Sequence, residues 1–166
     1  ETGSTFLENS LLKSTAVARH TGLIAVADDS GLCVDALNGM PGVLSARWSG
    51  AGATDESNLQ LVLEQLADVP DSRRGAAFCC AATAARVTGS GAVETKHSEA
   101  DLRGALLAEP IGENGFGYDP VFVPTGAKRT TAQMSSADKD RISHRGQALR
   151  GLVAQLTDWL EAADRT

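Results

Sequence analysis

The chain has 166 residues, of which 42% are hydrophobic and 22% charged, with a formal net charge of −6. This length suits one domain with a sizeable core, and the ordinary composition excludes an intrinsically disordered chain. The acidic balance argues against a general nucleic-acid binder, which presents a basic face, and no apolar run approaches the length of a membrane-spanning helix.

A polyanionic substrate would therefore need a local Lys/Arg cluster or a divalent metal. No signal-peptide pattern opens the sequence, and its first residue is Glu1 rather than Met, so the natural start is expected upstream. Cys33, Cys79 and Cys80 sit among apolar neighbours without CxxC spacing. That is the pattern of buried reduced thiols in a cytosolic protein rather than of zinc ligands.

In chain order, Thr5-x-x-Glu8 has capping-box spacing and Gly22 is a stop signal. A helix is predicted between them, with Phe6, Leu7, Leu11, Leu12 and Ala18 as its apolar positions. Asn9 and Lys13 are four apart and share its polar face, where Lys13 is either solvated or aimed at a phosphate. Leu23 to Ala27 is a short apolar run, the pattern of a buried strand that delivers Asp28 and Asp29 to its end. Aspartates at such a place are also ordinary turn residues. Asn38-Gly39 and Pro41-Gly42 mark turns. Thr54 to Leu66 has helical spacing, with Leu59, Val62, Leu63 and Leu66 on one face.

Gly75 to Val87 is ambiguous. Its alanines favour a helix, but it contains Phe78-Cys79-Cys80 and ends at a hairpin-like break, Thr88-Gly89-Ser90-Gly91. A strand here would take a partner around Ala92 to Lys96. At the end of the chain, Leu149, Leu152, Val153, Leu156, Leu160 and Ala163 recur at helical spacing. Arg73-Arg74, Lys128-Arg129, Arg150 and Arg165 have the look of solvated surface. Strands interleaved with helices place the chain in the α/β class, without repeats, linkers or low-complexity segments.

The most informative stretch is Gly112-Glu113-Asn114-Gly115-Phe116-Gly117-Tyr118-Asp119-Pro120. Glycines let such a loop bend tightly and approach a ligand closely. Phe116 is then a platform for a flat ring such as a nucleobase, and Asp119 a partner for the ring edge. Alternatively the stretch is only a tight turn entering a strand, Val121-Phe122-Val123. Two further stretches bear on that choice. One is Ala27-Asp28-Asp29-Ser30-Gly31-Leu32, followed by Gly39-Met40-Pro41-Gly42-Val43-Leu44-Ser45-Ala46-Arg47. The other is Met134-Ser135, Lys139 and Ile142-Ser143-His144-Arg145-Gly146.

In order and spacing, these three stretches closely resemble the inosine/xanthosine triphosphate pyrophosphatase family. The opening Glu1-Thr2-Gly3-Ser4-Thr5-Phe6, with Glu8-Asn9 and Lys13, extends the likeness nearly end to end. The resemblance implies a long, twisted mixed sheet flanked by helices, with two lobes and a central nucleotide cleft. It implies a strand at 75–87 and a single nucleotide-pyrophosphatase domain over 1–166. It also implies Mg²⁺-dependent hydrolysis of ITP, dITP and XTP to the monophosphate and pyrophosphate, a nucleotide-pool house-cleaning activity of a cytoplasmic homodimer. Neither nucleic acid nor membrane is expected as a partner.

By the same resemblance, Asp29 serves the catalytic centre, binding Mg²⁺ or activating the attacking water. Glu1 would add a second metal-site carboxylate. Lys13 and Ser30 would contact phosphates. Phe116, beside Gly117 and Tyr118, would stack on the purine, and Asp119, Lys139, Ser143, His144 and Arg145 would ring its edge. The chemistry is coherent. Hypoxanthine and xanthine carry an oxygen where adenine carries an amine, so a donor such as Arg145 suits one and is mismatched to the other. Without the resemblance, His144-Arg145 would be the first turn of the last helix, capped by Ser143. Neighbouring strand residues face opposite ways, so Asp28 and Asp29 share a metal only if the strand has already ended. A phosphatase-type aspartyl nucleophile wants Asp-x-Asp, which adjacent aspartates do not give.

The chain departs from the family at two places. The family's first strand and its Thr/Ser-x-Asn-x-x-Lys phosphate loop have no counterpart here. The intact protein is expected to carry them upstream. A catalytically impaired nucleotide-binding remnant is the alternative, and a related pyrophosphatase of different base preference a third. At Ala100 to Gly104, where the family tends to Gly-x-x-x-Gly, only Gly104 remains.

Overall fold

The computed structural model describes residues 2–157, 159 and 160. Helix α1 spans Phe6–Thr21, α2 Asp55–Gln65, α3 Ser136–Ile142 and α4 His144–Val153. Strand β1 spans Ala25–Val34, β2 Gly75–Val87, β3 Val93–Leu106 and β4 Phe122–Pro124. The result is an α/β fold in which helices flank a four-stranded antiparallel sheet of order β1-β2-β3-β4. Gly104, Ala105 and Leu106 of β3 lie opposite Pro124, Val123 and Phe122 of β4.

Local chemistry explains most boundaries. Thr5 caps α1 by accepting the Glu8 N–H, and Gly22 ends it with φ of 71°. Thr54 and Ser57 form a reciprocal capping box on α2. Gly75–Val87 is the extended segment that the resemblance implied. Its partner β3 runs ten residues beyond the predicted Lys96, through Ala100 to Gly104 and on to Leu106.

The chain forms two compact units. Unit 1 comprises residues 1–30, 80–100 and 144–166, and unit 2 comprises 31–79 and 101–143. In unit 1, Cys80, Ala82 and Ala84 of β2 pack with Ala148, Leu152, Leu156 and Trp159. The predicted last helix is interrupted. Helix α4 ends at Val153, which is exposed like Leu160; residues 157, 159 and 160 are again helical, and Ala163 lies outside the described residues.

Helix α1 corrects a second expectation. Its buried face is Asn9, Ser10, Ser14 and Ala18, whereas Leu12 is 51% exposed. The buried hydroxyls are mutually satisfied. Ser10 Oγ lies 2.8 Å from Thr83 Oγ1 and donates to the Ala27 carbonyl at 3.1 Å, and Thr83 donates to Ser14 Oγ at 2.9 Å. Small polar side chains in a closed hydrogen-bond set bury without the usual desolvation cost.

Unit 2 is built on Leu32, Val34, Val62, Leu66, Phe78 and Phe122, with the Phe78 and Phe122 rings tilted at a centroid distance of 4.5 Å. Gly31 is a close-approach glycine. A Cβ there would stand 2.4 Å from Ser45 Oγ and 2.5 Å from the Gly42 carbonyl, while Ser45 Oγ accepts the Leu32 N–H at 2.9 Å.

Arg74, expected on the surface, is 5% exposed. Its guanidinium donates to the carbonyls of Leu66 (2.8 Å), Val69 (2.9 Å) and Leu107 (3.4 Å). It thus adds a second donor to the Leu66 carbonyl at the end of α2, which already accepts the Val69 N–H, and satisfies the carbonyls of Val69 and Leu107 outside the helix. Arg74→Met keeps the stem and removes every donor. It should lower unfolding stability by about 2–3 kcal/mol in a urea titration; an unchanged midpoint would show that water replaces the guanidinium.

Candidate active site

Strand β1 does not stop at the aspartates. It continues through Asp28, Asp29 and Ser30 to Val34, so the predicted strand end is displaced by several residues. In extended backbone, Asp28 and Ser30 share one face and Asp29 takes the other. The contacts in unit 1 follow that alternation.

Asp29 turns to α1. Its Oδ1 accepts from Lys13 Nζ at 2.8 Å and its Oδ2 from Asn9 Nδ2 at 3.2 Å. Lys13 and Asn9 reach it together because they are four residues apart on one helix. Asn9 is fully buried, and its Oδ1 accepts the Gly3 N–H at 2.9 Å, which sets the amide's orientation. The Asp29 side chain is 11% exposed.

Asp28 turns to α4. Its Oδ2 accepts from Arg145 Nε at 2.8 Å, and Arg145 Nη2 donates to Ser30 Oγ at 3.0 Å. Cys80 Sγ lies 3.8 Å from Asp28 Oδ2. Burial, reinforced by the Asp28 charge, pushes the Cys80 thiol up to about 12. It is therefore a neutral S–H donor, and this side of β1 offers hard oxygen atoms rather than thiolate.

The second cluster lies in unit 2. Gly115 has φ of 79°, and a Cβ on it would stand 2.1 Å from Asp119 Oδ2. That clearance lets Asp119, 2% exposed, reach back under the loop. Its Oδ2 accepts the Phe116 N–H at 2.9 Å and Lys139 Nζ at 2.5 Å, and its Oδ1 accepts the Thr131 hydroxyl at 2.8 Å. Lys139 Nζ also lies 5.0 Å from the centre of the Phe116 ring, within cation–π range.

Phe116 is 64% exposed. Tyr118 is the opposite case, buried, with its hydroxyl donating to the Ser45 carbonyl at 2.8 Å. Burial and the Asp55 charge raise its pKa above the usual phenol value. The Gly117 N–H donates to Asp55 Oδ2 at 2.9 Å. A hollow of about 340 Å³ is lined by Phe116, Leu59, Pro110, Asp55, Glu56 and Glu113 among others.

The structure thus pairs Lys13 with Asp29 on one face of β1 and Arg145 with Ser30 on the other in unit 1, and holds Phe116, Gly117, Tyr118, Asp119 and Lys139 in unit 2. Ser143 ends α3, its N–H bonded to the Lys139 carbonyl, and His144 opens α4 in unit 1. Glu1 lies outside the described residues. Sequence reasoning missed Thr131 and Asp55. A lone threonine carries no signal, and an acid in the first turn of a capped helix looks like a simple complement to the helix dipole.

Among the described residues, no group of three or more His, Cys, Asp or Glu side chains could hold a metal ion, and no helix is long and apolar enough to cross a membrane. The α/β fold carries a carboxylate–lysine pair on a strand of unit 1 and an exposed aromatic on a glycine loop of unit 2. The comparisons with known proteins give the class. The Ham1 family model matches residues 1–155, and the chain belongs to that family.

The dITP/XTP pyrophosphatase of Frankia alni is 56% identical over 165 residues, covering 96% of this chain and 80% of that protein. The structure of a HAM1 protein from Coxiella burnetii superposes with a TM-score of 0.86 at 44% identity, covering 95% of this chain and 79% of that one. The nucleoside-triphosphatase (dITP/XTP pyrophosphatase) of Mycobacterium abscessus gives 0.75 at 52% identity, covering 94% and 78%.

The thiols supply a test of the site's electrostatics. Cys33 lies below the usual thiol value because Cys79 hydrogen-bonds to it, while Cys80 is held well above. Under iodoacetamide at about pH 8, peptide mapping should find Cys33 modified before Cys80, which reacts freely only in denaturant. Labelling of Cys80 first would contradict the buried neutral thiol.

Proposed function

We propose that this chain hydrolyses non-canonical purine nucleoside triphosphates, ITP, dITP and XTP, to the monophosphate and pyrophosphate. The observation that carries the reading is the Asp29 station. A carboxylate that is 11% exposed is held on both oxygens by Lys13 and Asn9. Fixed in this way, Asp29 is suited to orient an attacking water. Lys13, already an ion-pair partner, brings a compact charge suited to phosphate.

We assign Mg²⁺ as the cofactor, with Asp29 as the residue that would hold it. The donor set fits. Oxygen ligands suit a hard cation, and Mg²⁺ uses one or two carboxylates, waters and substrate phosphates rather than a cage of protein ligands. When bound, the ion lowers the pKa of a coordinated water and neutralises charge on the phosphates. Base recognition is assigned to Phe116, whose ring is exposed for stacking, with the Lys139 ammonium over the ring 5.0 Å from its centre. Homodimerisation and a cytoplasmic location are further proposals, supported by the family resemblance.

Pyrophosphate release from ITP, dITP, XTP, ATP and GTP, with and without Mg²⁺, tests the reading. Rapid, Mg²⁺-dependent release from dITP or XTP in preference to ATP is expected; binding without turnover would sink it. Asp29→Asn should reduce kcat by about 10²-fold or more while dITP still binds. Full activity in that variant would move the centre elsewhere.

A further inference from the structure

We propose that Asp55, in the first turn of α2, is a positioning residue for the Phe116 platform: its carboxylate accepts the Gly117 N–H and fixes the loop that presents the ring. This rests on the stacking role assigned to Phe116 above.

The loop needs such a tie. Gly112, Gly115 and Gly117 all have positive φ, at 99°, 79° and 59°. Glycine in these conformations is compatible with many alternatives, so the loop's order must come from contacts outside it. Phe116 is 64% exposed, so its place depends on the backbone that carries it more than on side-chain packing.

Two carboxylates bracket that backbone. Asp119 holds the Phe116 N–H and Asp55 holds the Gly117 N–H, each at 2.9 Å. Asp119 is three residues from Phe116 and belongs to the same chain segment. Asp55 is 62 residues from Gly117 in sequence. It therefore ties the loop to an independent, rigid element.

The rigidity of that element is visible. Thr54 and Ser57 form the capping box, and Asn58 Oδ1 accepts the Ser49 N–H at 2.8 Å. Leu59, one turn on, belongs to the hydrophobic core and lines the same hollow as Phe116 and Asp55. A loop ordered before its ligand arrives spares the ligand the entropy of ordering it, and the gain appears as affinity.

The competing role for Asp55 is only that of an acid at a helix N-terminus. The two roles separate under substitution. Asn keeps an acceptor oxygen for Gly117 but loses the charge; Ala loses both. The experiment is steady-state hydrolysis of dITP by the full chain and by Asp55→Ala, Asp55→Asn, Phe116→Ala and the Phe116→Ala/Asp55→Ala double variant, with melting temperatures alongside. Asp55→Ala should raise KM about fivefold or more with kcat within about twofold, and Asp55→Asn should restore KM to within about twofold of the parent. In the Phe116→Ala background the Asp55 substitution should add nothing to KM, because both changes remove one platform.

An unchanged KM in Asp55→Ala, a failure of Asp55→Asn to restore it, or full additivity with Phe116→Ala would each overturn the proposal. Equal melting-temperature losses in the Ala and Asn variants without a KM effect would leave only the dipole role. Phe116→Ala alone tests the underlying reading. If its KM is unchanged, the stacking assignment fails and the Asp55 proposal falls with it. If Phe116→Ala raises KM and Asp55→Ala does not, the stacking assignment stands and only Asp55 loses its role.

Discussion

The alternation of side chains along β1 is the constraint on which the unit 1 site depends. Because the backbone stays extended through Asp28, Asp29 and Ser30, neighbouring carboxylates are forced to opposite faces. Asp29 meets the amide and ammonium of α1, and Asp28 meets the guanidinium of α4. A turn at the same residues would have crowded two like charges together and raised the cost of ionising both. The strand instead gives each carboxylate its own cation.

That arrangement is possible only because α1 comes close to the strands. Leucines on its inner face would hold it away. Ser10, Ser14 and Ala18 do not, and the hydroxyl set with Thr83 removes the cost of burying them. Asn9 extends the same face to Asp29 and is itself fixed by the Gly3 backbone. The helix is thus chosen for what its polar side chains can reach, and Leu12 is left to the outer surface.

In unit 2 the organising group is Asp119. A buried carboxylate must be compensated, and here backbone, hydroxyl and ammonium donors do so. The compensation also does structural work, since each donor belongs to a segment that has to stay near Phe116. In a chain of net charge −6, Lys13, Lys139 and Arg145 are each held at a defined place by an aspartate.

Much of this was legible in the residues alone. Thr5 and Gly22 set the ends of α1, Thr54 the start of α2, and the glycine loop marked Phe116, because caps and turns are decided by interactions a few residues long. The i, i+4 spacing of Asn9 and Lys13 already placed them on one face. What they point at was not legible. The inner face of α1, the burial of Arg74 on carbonyls as distant as Leu107, and the approach of Asp55 to Gly117 all rest on contacts between segments far apart in the chain. A serine, an arginine and a first-turn aspartate look alike in sequence whether solvated or buried. Only tertiary packing decides, because it alone determines which donors and acceptors lose water and must find each other.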